Sequence, residues 1–277
     1  MKNIYKIFTP FFKVDKQTTF IIMGVWLAIF LFFWCSAPAL IPGPITVFNQ
    51  VITYLNPGMP SPSIDTIFPY IHPNFPNLDF YYDIFASLEL TITAMLISIL
   101  IACITAYSST IAAFNFPGKV IMMLRFMSLL GFLFLFMSLL GGNASKLKNT
   151  LLIFSIVPYF TLSLVSVINK IDQQEYDLWT TLRYNKWEQL WEIVIVGKAD
   201  SVIEAIISNF SMGWVMMTIA ETKSMADGGL GVQLFNADKY NHLTQVFAIQ
   251  VIIYLIGYII MFLLKKWKAK QFPYTIN

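Results

Sequence analysis

Apolar residues in this chain run in stretches of about twenty, separated by short segments that carry nearly all the charge. A stretch of that length matches the hydrocarbon core of a bilayer, roughly 30 Å thick, at 1.5 Å of rise per helical residue. Six such stretches can be delimited: Thr18–Ala39, Ser87–Phe114, Val120–Leu140, Thr150–Ile168, Val202–Ala220 and Val246–Leu264. Each predicts a transmembrane helix, because only helices and closed barrels satisfy every backbone polar group inside lipid. The fold class expected is therefore all-α: a polytopic transmembrane bundle of about six spans over residues 18–264, with short segments at either end (1–17 and 265–277) and no separate soluble domain. The first run is too long for a signal-peptide core and lacks a small-residue cleavage site, so it reads as a retained span.

Composition agrees. Of the 277 residues 57% are hydrophobic and 12% charged, with a mean hydropathy of +0.66, whereas a soluble domain carries about a quarter charged residues. The net charge of +3 gives no reason to expect a nucleic-acid partner. The placement of the cations says more. Lys2, Lys6, Lys13 and Lys16 precede the first span, Lys119 and Arg125 enter the third, Lys170, Arg183, Lys186 and Lys198 follow the fourth, and Lys265, Lys266, Lys268 and Lys270 follow the last. Putting both termini in the cytoplasm places these fourteen inside and leaves four, Lys146, Lys148, Lys223 and Lys239, outside. The segment 41–86 then lies outside with no Lys or Arg. Its proline density argues against a long helix there, although Ile45–Tyr54 fits a short interfacial one.

Two cysteines, Cys35 and Cys103, sit within apolar runs and read as small buried hydrophobes. His72 and His242 lie far apart, so no metal site is expected. The chain has no HExxH, GxSxG or Walker A pattern and no paired intramembrane carboxylates. No catalysis and no cofactor of its own are expected from it.

The segment 170–199 stands out. Trp187, Leu190, Trp191 and Val194 recur at i, i+3, i+4 and i+7, one stripe of an amphipathic helix, with Glu188, Gln189 and Glu192 off it. Asp177, Leu178 and Leu182 fit a second short helix, with the turn at Tyr184–Asn185. Two short helices joined by a turn make a knob. It reads either as a docking surface for another protein or as an interfacial helix on lipid headgroups.

This stretch resembles the EAA loop of bacterial ATP-binding-cassette (ABC) importer permeases, in the branch that handles nitrate, taurine and alkanesulfonates. Asp177-Leu178-Trp179 stand where E-A-A is usual, Leu182 precedes the usual Gly, Lys186-Trp187 match a basic–Trp pair, and Val196-Gly197 stand at an L-P position. Arg183 replaces the Gly, so the positive-φ turn is expected to move to Asn185, which tolerates that region better than most residues. Other segments fall in the family's order: Ala39–Pro44 with Val47, Ser87-Leu88, Leu124-Arg125, Ser145-Lys146, Trp214, Ala220-Glu221, Gly229-Leu230-Gly231 and Gly257. The resemblance spans about Leu40 to Leu264 and departs from the pattern at Leu90, Ser128 and Arg183.

What the resemblance implies is a type I importer permease in the cell membrane. It would pair with a second permease copy, two ATPase subunits that bind ATP and Mg, and an external substrate-binding protein. The coupling residues would be Asp177, Leu178, Trp179, Leu182, Arg183, Lys186, Trp187, Leu190 and Trp191. Candidates for the pathway or its gate are Glu221, Gly229, Gly231, Trp214 and Arg125. Glu221 is a functional candidate on physical grounds as well, since an acidic group at the membrane is costly unless paired or wetted. Arg125 either snorkels to the cytoplasmic surface or lines the pathway and attracts an anion. The competing reading is a self-contained channel or secondary transporter, which calls for ionisable or discontinuous helices at the midplane.

Overall fold

The computed structural model describes residues 16–36, 41–56, 76–111, 114–127, 129–140, 143–225 and 228–273. The prolines between 57 and 73, the first fifteen residues, Ser128 and His72 lie outside these. The described residues form helices and no strand. In chain order they are α1 (Lys16–Cys35), α2 (Pro44–Leu55), α3 (Pro76–Ser108), α4 (Asn115–Met123), α5 (Leu129–Leu139), α6 (Ala144–Asn169), α7 (Gln173–Thr181), α8 (Lys186–Gln189), α9 (Ala199–Ser224), α10 (Leu230–Lys239) and α11 (Leu243–Gln271).

Five of these, α1, α3, α6, α9 and α11, are long and apolar enough to cross a bilayer, so the chain is a multi-pass helical membrane protein. The third predicted span, Val120–Leu140, is not one helix. A 3₁₀ turn at Leu124–Phe126 follows α4, Met127 is extended, and α5 leaves at 116°. The pair supplies a sixth span only as a bent one.

The second span also differs from the expected Ser87–Phe114. Helix α3 begins eleven residues earlier, at Pro76. Proline forbids a helix interior but suits a first turn, where its missing N–H is not needed. At the other end Ser108, Ser109 and Thr110 donate their hydroxyls to the carbonyls of Thr105, Ala106 and Tyr107, a local alternative to continuing the ladder.

Helices α3, α6 and α9 form the centre of the bundle. One face of α3 carries Ser87, Thr91, Ala94, Ser98, Ala102 and Ala106, all essentially inaccessible. Their spacing of three and four keeps them in a single stripe, and small side chains let a neighbouring helix approach closely. Into that space α6 places Leu151, Leu152, Ile156, Phe160 and Leu164. Thr105 and Thr161 share a hydroxyl hydrogen bond of 3.0 Å across the α3–α6 contact. The Asn209 amide donates to Ser163 Oγ at 2.8 Å across α9–α6.

The expected short helix after the first span is present as α2. Pro44 occupies its first turn, and Val47, Val51 and Tyr54 make its buried edge. Tyr54 stacks on Phe80 of α3 at 4.7 Å. Helix α1 stands apart, exposed along its apolar length, and meets the α2 approach where Trp34 Nε1 donates to the Pro42 carbonyl. Cys35, expected to be buried, is exposed on this helix, and Cys103 is half-buried. The sixth predicted span runs on past Leu264, so the basic tail is helical as far as Gln271.

Candidate functional site

Two polar regions sit at opposite ends of the α3–α6–α9 core. The first is a knob between α6 and α9, built from α7, α8 and a π-helical stretch, Leu190–Val196, that continues α8. Helix α7 closes with paired bonds: Arg183 N–H donates to the Thr180 carbonyl and Tyr184 N–H to that of Trp179. This is a Schellman turn, and its usual apolar contact is present as Trp179 against Tyr184, 4.7 Å between rings.

The turn needs a left-handed residue, and Arg183 itself takes that place with φ of 61°. The expected shift to Asn185 does not occur. Asn185 has φ of −69° and caps α8 instead: its side chain accepts from Lys186 N–H, and Glu188 reaches back to Asn185 N–H at 2.7 Å. The cap uses the Asn side chain in an extended backbone conformation, and that excludes positive φ at the same residue.

The predicted stripe is also rearranged. Val194 is buried and Leu190 half-buried, but Trp187 and Trp191 are 67% and 59% exposed. Gln189, expected on the outer face, is buried and donates to Thr180 Oγ1 and the Tyr184 carbonyl, bracing α8 against α7. From Leu190 on, the i→i+5 bonding of the π stretch departs from the α-helical spacing on which the stripe was reckoned. Ile171, Ile193 and Val194 form a small core beneath the knob with Tyr107, Tyr176 and Trp179. Burial pushes the Tyr176 phenol up from its ordinary value; the Glu175 carboxylate adds to this and Lys198 opposes it. Lys198 pairs with Glu175 at 2.9 Å across the knob's base. Facing outward are Leu178, Leu182, Trp187 and Trp191, with Asp177, Arg183 and Lys186 exposed around them.

The second region lies where α3 begins, α9 ends and α10 starts. The first N–H groups of any helix lack partners within it, and α10 takes them from two other helices. Gly229 N–H donates to Asp83 Oδ1 at 2.7 Å, Leu230 N–H to Ser87 Oγ at 2.8 Å, and Gly231 N–H to Glu221 Oε2 at 2.7 Å. The Ser87 hydroxyl donates to Glu221 Oε1 at 2.7 Å, and the Gln233 amide donates to Asp83 Oδ2 at 2.6 Å. Glu221 is 1% and Asp83 6% exposed. Lys148 of α6 is also buried. Ser224 Oγ donates to the Ala144 carbonyl, joining α9 to the start of α6 in the same layer.

Two glycines are required here. Gly229 has φ of 121°, and a Cβ on it would meet the Glu221 carboxyl group. A Cβ on Gly231 would stand 2.5 Å from the Thr218 carbonyl and 2.9 Å from Glu221 Cβ.

The other predicted residues are placed separately. Trp214 is buried, donates from Nε1 to the Ile253 carbonyl at 3.0 Å, and packs against Gly257, so it joins α9 to α11. Arg125 sits in the 3₁₀ turn, 4.6 Å over the Phe126 ring, away from both regions. Glu204 pairs with Lys268 at 2.9 Å. Among the described residues no group of three or more His, Cys, Asp or Glu is placed to hold a metal.

Asp83 and Ser87 were not foreseen as partners of Glu221. They lie four apart, on one face of α3, a signal that appears once the helix is begun at Pro76. No protein-family model matches this chain, and neither does any curated protein.

Proposed function

We propose that this chain is the membrane-spanning subunit of an ABC importer. The knob is where a cytoplasmic ATPase subunit docks, and a second permease copy completes the pathway for a small solute of the nitrate, sulfonate or taurine kind. The observation that carries the reading is the outward face of the knob. Leu178, Leu182, Trp187 and Trp191 are four large apolar side chains, each more than half exposed, with Tyr184 and Val196 exposed on the same segment. Contiguous exposed apolar area of this sort marks an interaction site, and Trp is enriched among the residues that dominate such contacts.

The base of the knob suits a lever. It continues α9 through the π stretch, closes on α6 through Ile171, and rests on α3 through Tyr107. Displacement of the outer face by a closing ATPase dimer would reach all three core helices. Coupling is then a population shift between outward- and inward-open arrangements, biased by the state of the ATPases. ATP and Mg belong to that partner, and solute selection largely to an external binding protein.

The test is purification of the tagged chain in a gentle detergent, with mass spectrometry of its companions. A stoichiometric soluble protein bearing Walker A and B motifs, lost in Trp187→Asp, supports the reading. A chain that stays alone even after crosslinking through Trp187→Cys would favour a self-contained channel or secondary transporter.

A further inference from the structure

Between the Leu124–Phe126 turn and the middle of α6 lies a cavity of about 100 Å³. Two sequence features open it. Pro158, inside α6, has no N–H for the Phe154 carbonyl, and its ring crowds that carbonyl, which loosens the helix. Opposite, the extended Met127 breaks the α4–α5 pair and turns the chain aside.

The lining is mainly apolar, with Phe154, Pro158 and Met216, but three polar side chains enter it: Arg125, Ser155 and Tyr159. The Ser155 hydroxyl donates to the Leu151 carbonyl at 2.6 Å. Among the described residues neither the Arg125 guanidinium nor the Tyr159 hydroxyl has a hydrogen bond or an ion pair, and the guanidinium lies over the Phe126 ring face. Among the described residues no Asp or Glu lines the cavity. Arg125 is half-buried and permanently charged. A cation in a membrane segment is found paired or facing water, because an unpaired one is costly.

We propose that this cavity is an oxyanion site, with Arg125 supplying the charge and a forked pair of donors and Tyr159 a third donor. The chemistry fits three ways. The guanidinium fork matches two oxygens of one oxyanion. With no acid among the described lining residues, Arg125 leaves the lining net positive. The space is enough for a nitrate, sulfonate, sulfate or phosphate group. The same group can arrive as a free anion or as the phosphate of a membrane lipid. The site is independent of whether an ATPase docks at the knob.

The experiment uses the full chain in phosphatidylcholine nanodiscs. Sodium sulfate, phosphate and nitrate are titrated calorimetrically against sodium chloride at matched ionic strength. Saturable binding of at least one oxyanion over chloride is expected, weakened about tenfold or more in Arg125→Gln, several-fold in Tyr159→Phe, and unchanged in Lys170→Gln on the distant loop. Native mass spectrometry from membranes containing phosphatidylglycerol supplies the second arm. Retention of that lipid by the wild type and not by Arg125→Gln, with no binding of free oxyanion, identifies the lipid phosphate as the occupant; the converse identifies a free anion. Equal binding by wild type and Arg125→Gln, no preference over chloride, or no binding in either arm overturns the proposal. Should Arg125→Gln fail to fold, Tyr159→Phe decides: wild-type affinity in that variant overturns it.

Discussion

The polar layer around Glu221 and the knob around Trp187 are opposite answers to one problem, the placing of polar backbone beside a membrane. In the layer every group named is inward and partnered: two carboxylates and a hydroxyl from α3 and α9 receive the N–H groups of the α10 N-cap, Gly229, and of its first two residues. In the knob the polar groups are equally well partnered, through a Schellman turn, a capping box and Gln189, but Leu178, Leu182, Trp187 and Trp191 point outward. Closure at one end and exposure at the other separate a region that holds helices together from one that has a surface to offer.

That contrast breaks first at the glycines. Gly231→Val forces a branched side chain against the Thr218 carbonyl and Glu221, and should destabilise by about 3 kcal/mol or more. Its thermal midpoint in detergent should collapse, and a wild-type midpoint would mean that α10 can move away without penalty. Glu221→Ala comes next. It strands the Ser87 hydroxyl and the Gly231 N–H in a buried layer, at about 1–3 kcal/mol for each group, and midpoint measurements on it and Ser87→Ala should prove non-additive.

Variants in the knob should act more weakly on stability. Asn185→Ala removes the cap of α8 and should cost about 1 kcal/mol. Arg183→Gly should gain about 1 kcal/mol, since an L-residue at φ of 61° is held against its preference. Hydrogen exchange of the Tyr184 amide, which closes that turn, would read both. Smallest of all on stability is Trp187→Asp, within about 0.5 kcal/mol because the side chain is 67% exposed. On the function proposed above, that variant should nonetheless lose its soluble partner and solute uptake. Full uptake with Trp187→Asp would remove the knob from the coupling reading.

Much of the fold was legible from the chain alone. Run lengths located the long helices α1, α3, α6, α9 and α11, because lipid imposes a length and forces internal hydrogen bonding. Their ends were less legible. Pro76 reads as a breaker in a list of prolines and as a starter only when its place in the first turn is known. The break at Met127 lies within an unbroken apolar run, where hydropathy is blind to backbone direction.

Of the candidate site, the sequence by itself determined the knob's existence, its two short helices and the singular position of Glu221, since each depends on local periodicity or on the rarity of an acid beside an apolar span. Only the tertiary structure decided who meets Glu221, which aromatic residues of the knob look outward, and that Arg183 rather than Asn185 makes the left-handed turn. The reason is physical. Partners 134 and 143 residues apart, such as Ser87 with Glu221 and with Leu230, are set by helix packing and leave no periodic trace. A π-helical register likewise cannot be read from a pattern reckoned at α-helical spacing, and only the folded chain shows Ile193 and Val194 buried together beneath the knob.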